Sequence, residues 1–152
     1  MNLSSLILDC IDIYSVAFED AGGQIIFEKP SEAIFFTGDR ARMERALANL
    51  LDNSLNYSDK PKITIELWQT HNVYMRIKDN GPGVPDSIRE KVFERFVRGD
   101  ESRKSQGSGL GLSIVRSYIQ LQEGSIELEG SEEGASFIIT LPNKKAEETN
   151  TG

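Results

Sequence analysis

The sequence predicts an α+β domain: a two-layer sandwich in which one mixed, largely antiparallel sheet is covered on one face by three helices. Three observations carry that expectation. Apolar residues recur at helical spacing in three segments. Short runs rich in β-branched and aromatic residues lie between and after them. A stretch dominated by glycine, proline and charge, 81–107, has no strong period of its own and is too long for an ordinary connection.

The elements follow in order. Leu3, Leu6, Ile7, Cys10, Ile11, Tyr14, Ala17 and Phe18 line one side of an opening helix, which Ala21, Gly22 and Gly23 bring to an end. The runs 24–29 and 34–37 read as two short strands joined through Pro30. Asp39 is a good N-cap for a second helix that reaches about Asn56. The runs 63–68 and 73–78 alternate in part and form a hairpin, with His71 and Asn72 in its turn. Beyond 81–107 a third helix presents Leu110, Ile114, Val115, Tyr118 and Ile119 on its apolar side, and strands at 125–129 and 135–141 close the domain. The domain is expected over 1–142, with 143–152 a disordered polar tail.

Composition narrows the function. A chain of 152 residues, 38% hydrophobic and 27% charged, holds one ordinary core. Its 17 basic and 24 acidic residues leave a net charge of −7, which argues against a nucleic-acid surface. No apolar run approaches the roughly 20 residues that cross a bilayer, and no signal peptide precedes the first helix. A single cysteine cannot form an internal disulfide, so a reducing, cytoplasmic setting is expected. Met1 directly before that helix suggests a piece cut from a longer protein, with a free-standing protein as the alternative. The lone Cys10, beside Ile7, Ile11 and Tyr14, reads as a buried structural thiol. One histidine and one cysteine cannot build a metal cluster, and His71 reads as an exposed turn residue.

Three patterns carry chemistry. On the second helix Met43, Leu47, Leu50, Leu51 and Ser54 gather on the side that faces the sheet, while Asn49, Asn53 and Asn56 fall together on the opposite side. Asparagine is a poorer helix former than Lys, Glu or Arg, so a stripe of three suggests neutral, fixed oxygen and nitrogen ligands. An amide oxygen can ligate Mg²⁺. A polar exposed face explains the stripe as well. Asp79-Asn80-Gly81-Pro82-Gly83 stands where a strand ends; its carboxylate can accept from an exocyclic amine such as that of adenine, and its glycines allow close backbone approach. A tight turn explains it equally. Gly107, Ser108, Gly109, Leu110, Gly111 and Leu112 run into the last helix, whose free N–H groups and dipole favour phosphate. The context is neither a Rossmann fingerprint nor a P-loop.

Together these motifs resemble the histidine-kinase branch of the ATPase superfamily shared with gyrase, the ninety-kilodalton heat-shock chaperones and the mismatch-repair ATPases. The run 49–58 is similar to that family's asparagine box, 79–83 to its first glycine box, 93–100 to its phenylalanine box and 107–115 to its second glycine box. The resemblance implies a Bergerat-type sandwich with an ATP lid over 81–107, and MgATP as cofactor. It implies Asn53 as Mg²⁺ ligand, Asn49 supporting the phosphates, Asp79 on the adenine amine, and Tyr57 beside the base. Gly81 and Gly83 would bring backbone to the base, Gly83 through water. Arg98, with Arg103 or Lys104, would meet the terminal phosphates, and the 107–112 backbone would bind them. Phe93 and Phe96 would anchor the lid. Asn49, Asn53 and Arg98 would be the catalytic set.

Two departures stand out. Asn56 replaces the family's usual Lys or Arg, and the phosphoacceptor histidine with its helical dimerisation hairpin is missing; His71 has neither an acidic neighbour nor a helical setting. The implied partners are therefore a histidine-containing dimerisation domain, in the parent chain or in trans, and a response regulator. The isolated domain would be a monomer and the parent kinase a homodimer, which a membrane anchor could hold. Gyrase- or chaperone-type ATPases place a glutamate base where Asn49 stands, and an amide cannot take a proton. An anti-sigma-type serine kinase, or a nucleotide-binding regulatory module without catalysis, would share some of these boxes. The phenylalanine box and the long lid favour the histidine-kinase branch.

Overall fold

The computed structural model describes residues 1–57, 59–81, 93, 111–129 and 134–143. Among these are helices α1 (Leu3–Asp20), α2 (Arg40–Tyr57) and α3 (Gly111–Leu121), and strands β1 (Gln24–Glu28), β2 (Lys62–Gln69), β3 (Val73–Asp79), β4 (Ser125–Glu129) and β5 (Ser136–Leu141). The strands form one sheet in the order β1-β2-β3-β5-β4. Only the β1–β2 pair is parallel, Gln24 opposite Lys62 and Glu28 opposite Glu66; the other pairs are antiparallel. This is the expected mixed, largely antiparallel sheet with three helices, and 143–152 falls almost wholly outside the described residues.

One face of the sheet carries the core. Ile63, Ile65, Leu67, Val73, Met75, Ile77, Phe137, Ile139 and Leu141 are buried at alternate positions, which is the period of a strand covered on one side. Leu3, Leu6, Ile7 and Phe18 of α1, Met43, Leu47, Leu50 and Leu51 of α2, and Val115 and Ile119 of α3 bury themselves against it. Cys10 is buried, as its neighbours suggest, and burial pushes its thiol up to about 11. His71 is exposed in the bend between β2 and β3.

One expected element is absent. The run 34–37 is not a strand, although Ile34 and Phe36 are buried and Phe35 is exposed. Its partner is the first three residues of the chain: Leu3 donates to the Ile34 carbonyl at 3.0 Å and Phe36 to the Met1 carbonyl at 3.0 Å, around a single Asn2–Phe35 bridge. Because α1 begins at Leu3, capped by Asn2 Oδ1 accepting from Ser4 N at 3.0 Å, the ladder does not continue beyond the Leu3–Ile34 hydrogen bond.

The opposite face of the sheet is half-buried and polar. There the Arg76 guanidinium donates to Glu129 at 2.8 and 3.2 Å and to Glu66 at 2.9 Å, and lies 4.9 Å from the Trp68 ring centroid. Arg76, helped by the Ser136 hydroxyl, holds the Glu129 carboxyl below its ordinary value of 4.5, against the opposing effect of burial. A depressed carboxylate stabilises the fold fully above its unfolded value and loses that contribution as pH falls through its folded value. Glu129→Gln is therefore expected to flatten the acid side of melting temperature against pH, measured by circular dichroism between about pH 3 and 6. Parallel curves for the two proteins would refute the assignment.

Candidate functional site: the junction of α2, α3 and the end of β3

The amphipathic pattern of α2 sets the site. With Met43, Ala46, Leu47, Leu50, Leu51 and Ser54 buried, Asn49 and Asn53 are half-buried and Asn56 is exposed. The start of α3 packs beside Asn53. A Cβ added at Gly111, the first residue of α3, would sit 3.7 Å from Asn53 Oδ1. The amide oxygen of Asn53 thus lies at the N-terminus of a helix whose first N–H groups lack intrahelical partners. Among the described residues, nothing hydrogen-bonds the side-chain amides of Asn49 or Asn53. Leu112 packs partly buried against the core, so its part in this junction is its backbone and its packing.

Ser54, one residue on, is only 2% exposed, and its Oγ has no partner among the described residues. A buried hydroxyl left unpaired costs about 1–3 kcal/mol.

Asp79 forms the second part. Its Oδ1 accepts from Gly81 N at 2.9 Å and from Ala135 N at 3.0 Å, while its own N–H donates to the Ala135 carbonyl at 2.8 Å. Among the described residues both side-chain bonds fall on Oδ1, so the carboxylate is fixed in orientation with Oδ2 left to accept. Gly134 makes this possible. At φ +87° it presses against the Asp79 carbonyl, leaving no room for a Cβ. Nothing in the spacing of the 79–83 motif points to Gly134; only the pairing of β3 with β5 brings it there.

Asn80 ties the two parts together. Its Oδ1 accepts from Lys62 N at 2.9 Å and its Nδ2 donates to the Lys60 carbonyl at 3.1 Å, so the connection leaving α2 is stapled to the end of β3. The side of α2 that ends in Asn53 and the strand end that carries Asp79 therefore share one end of the sandwich. Phe93 reaches this body as well: its ring packs edge-on against Phe137 of β5, centroids 6.0 Å apart.

Of the residues expected at a nucleotide site, Asn49, Asn53, Asn56, Asp79, Gly81, Gly111 and Leu112 are described here, and of the three α2 asparagines Asn56 is the exposed one. Gly83, Arg98, Arg103, Lys104, Gly107, Ser108, Gly109, Leu110 and the Tyr57 side chain lie outside the described residues, as does most of 81–107. Among the described residues, no group of three His, Cys, Asp or Glu side chains could hold a metal ion. A metal at Asn53 would have to be one that accepts a single neutral protein oxygen and completes its shell from water and ligand, which is the habit of Mg²⁺.

Known proteins share this fold. The catalytic domain of histidine kinase ThkA superimposes with a TM-score of 0.82 at 30% identity, over 93% of this chain and 93% of that one. The same kinase in complex with response regulator protein TrrA matches with a TM-score of 0.78 at 28% identity, over 93% of this chain and 40% of that one. The probable sensor histidine kinase TcrY of Mycobacterium tuberculosis is 34% identical over 147 residues, 93% of this chain. The chain spans only 30% of that relative's length. Among the described residues, no helix is long and apolar enough to cross a membrane. Residues 38–145 match the family described as histidine kinase-, DNA gyrase B-, and HSP90-like ATPase, and the chain belongs to that family.

Proposed function

We propose that this chain binds MgATP and donates its γ-phosphate to a histidine on a separate dimerisation domain, as the ATP-binding catalytic domain of a two-component sensor kinase. The observation that carries the reading is the Asn53 amide oxygen, without a partner among the described residues, set at the N-terminus of α3, at the same end of the sandwich as the oriented carboxylate of Asp79. One feature suits the triphosphate and its metal, the other a purine amine.

Each residue has a task. Asp79 Oδ2 accepts from the adenine amine and sets the base. The N–H groups opening α3 receive phosphate oxygens, with the helix dipole in their favour. Asn53 supplies the oxygen that would hold Mg²⁺, whose positive charge offsets that of the phosphates. Asn49 lies one turn earlier on the same face and supports the phosphates. Arg98, with Arg103 or Lys104, meets the terminal phosphate from the lid 81–107, and Tyr57 packs beside the base. The domain itself is 1–142. In transfer, the unprotonated nitrogen of the acceptor imidazole forms a bond to the γ-phosphorus as the bond from that phosphorus to the ADP oxygen breaks, and the proton on the other ring nitrogen then leaves. Asn49 cannot accept a proton from water, which favours transfer over hydrolysis. The response regulator seen with ThkA supports a response regulator as the next partner here. The isolated domain would be a monomer within a homodimeric, cytoplasmic or membrane-anchored parent.

Asn53→Ala is expected to remove the magnesium dependence of ATP binding while adenosine still binds. Calorimetry with and without magnesium checks this; unchanged dependence would overturn the role of Asn53. Phosphoryl transfer itself is tested with labelled ATP and a dimerisation hairpin supplied in trans. Label should appear on the hairpin and not on His71. Label on His71, lost in His71→Ala, would refute the reading.

A further inference from the structure

Gln122 lies just past the end of α3, buried to 4% exposure, and neither the asparagine nor the glycine motifs account for it. Its carboxamide faces the backbone of one residue, Asp39, at the opposite end of α2 from Asn53. Asp39 N donates to Gln122 Oε1 at 2.7 Å, and Gln122 Nε2 donates to the Asp39 carbonyl at 3.5 Å. Asp39 is also the N-cap of α2, since its Oδ1 accepts from Arg42 N at 3.2 Å and its carbonyl from Met43 N at 3.1 Å. Gly38 next to it is packed so closely on Gln122 Oε1 and the Phe36 ring that no Cβ fits.

The same end of α3 is fixed from the other side. Gly124 N donates to the Ile119 carbonyl at 3.0 Å, closing the helix with Glu123 at φ 67°, a conformation glycine ordinarily supplies. A Cβ on Gly124 would come within 2.9 Å of Leu141 Cδ2 and 3.2 Å of Ile119 Cγ2. The C-terminal end of α3 is thus locked to α2 by Gln122 and to β5 by the turn. Its N-terminal end meets α2 again at Gly111 and Asn53. The two helices run antiparallel, joined at both ends, and only one of those ends is the site.

Resting on the nucleotide reading above, we infer that Gln122 is a positioning residue: it sets the tilt of α3 against α2, and so the gap between Asn53 and the helix N-terminus in which the phosphates and metal lie. The lever is favourable. An α-helix of eleven residues is about 16 Å long, so a tilt of about 5° at the Gln122 end moves the Gly111 end by about 1.4 Å. Hydrogen bonds to the phosphates hold only at about 2.7–3.2 Å, so a displacement of about 1 Å is enough to break them. Each charge-assisted bond lost costs about tenfold or more in affinity. Asp79 is held by the end of β3, Gly81 and Ala135 before β5. The Gln122 hydrogen bonds reach none of these, and the turn after α3 meets β5 at its far end, Thr140 and Leu141. The effect therefore separates by ligand: phosphate and metal binding depend on Gln122, adenine binding does not.

The test compares two probes by calorimetry, the magnesium complex of a non-hydrolysable ATP analogue and plain adenosine. Gln122→Met keeps the length and apolar stem but loses both hydrogen bonds. It should weaken the magnesium–nucleotide complex about tenfold or more while adenosine affinity stays within about twofold. Equal affinity for the nucleotide complex overturns the inference. So does a parallel loss for both probes, which would make Gln122 a packing residue only. If Gln122→Met does not fold, Gln122→Asn, which retains the amide and shortens its reach by one methylene, decides on the same two criteria. A native chain that binds neither probe overturns the nucleotide reading itself, and this inference with it.

Discussion

Asp79→Asn is expected to lower ATP affinity about a hundredfold while the fold stays intact. The two groups that donate to Oδ1, Gly81 N at 2.9 Å and Ala135 N at 3.0 Å, are served as well by an amide oxygen as by a carboxylate. What changes is the second position. There an acceptor oxygen becomes an NH₂ group, which meets the adenine amine donor to donor. Losing a charge-assisted hydrogen bond costs about 1.5–3 kcal/mol, and each 1.4 kcal/mol is about a factor of ten in affinity. The same NH₂ matches the carbonyl oxygen of guanine, so preference for ATP over GTP should shrink or invert. Calorimetry with both nucleotides, beside a thermal melt, reads out the two claims. Unchanged ATP affinity in a folded variant would remove Asp79 from the base site.

Gly134→Ala is expected to act on the same carboxylate from behind and to cost stability as well. The residue sits at φ +87°, where a side chain adds roughly 1–2 kcal/mol of backbone strain. Its new Cβ would also collide with the Asp79 carbonyl and lie 2.9 Å from Asp79 Oδ1. Forcing a methyl into filled space adds about 1–3 kcal/mol, for a total loss of about 2–5 kcal/mol. Chemical denaturation measures that loss. Adenosine affinity should fall in the same protein, because the strain is relieved by moving Asp79. Full stability together with full affinity would contradict the close approach.

The sequence conveyed the parts of this molecule that rest on local periodicity. The core side of α2, the turn at His71 and the burial of Cys10 all follow from neighbours within a few residues, where side-chain spacing and helix geometry leave little freedom. The run 34–37 misled because alternation reports burial, and burial at Ile34 and Phe36 is real; a strand also needs a ladder, and the turn of the facing backbone into α1 at Leu3 leaves a single bridge, Asn2–Phe35. Gly134 and Gln122 were illegible for a different reason. Gly134 is a glycine in a loop and Gln122 a polar residue after a helix, unremarkable until the sheet places one against Asp79 and the sandwich places the other against Asp39. Of the site itself, Asn53 and Asp79 were readable as motifs. The orientation of Asp79 depends on a contact far away in sequence, the Ala135 N–H, which is 56 residues distant.

The single parallel pairing, β1 with β2, makes α2 a crossover helix as well as the carrier of the asparagines. Gln24 meets Lys62 only after the intervening chain has looped round, whereas the β2–β3 hairpin closes through a bend of three residues at 70–72. Loop-closure entropy makes the hairpin an early event and the crossover a late one. The only tryptophan, Trp68, stacks on Tyr74 within that hairpin, ring centroids 5.4 Å apart. Its fluorescence therefore reports the early event. A refolding chain can regain its tryptophan signal before α2 is seated, and competence to bind nucleotide is expected to return on a slower clock than the optical one.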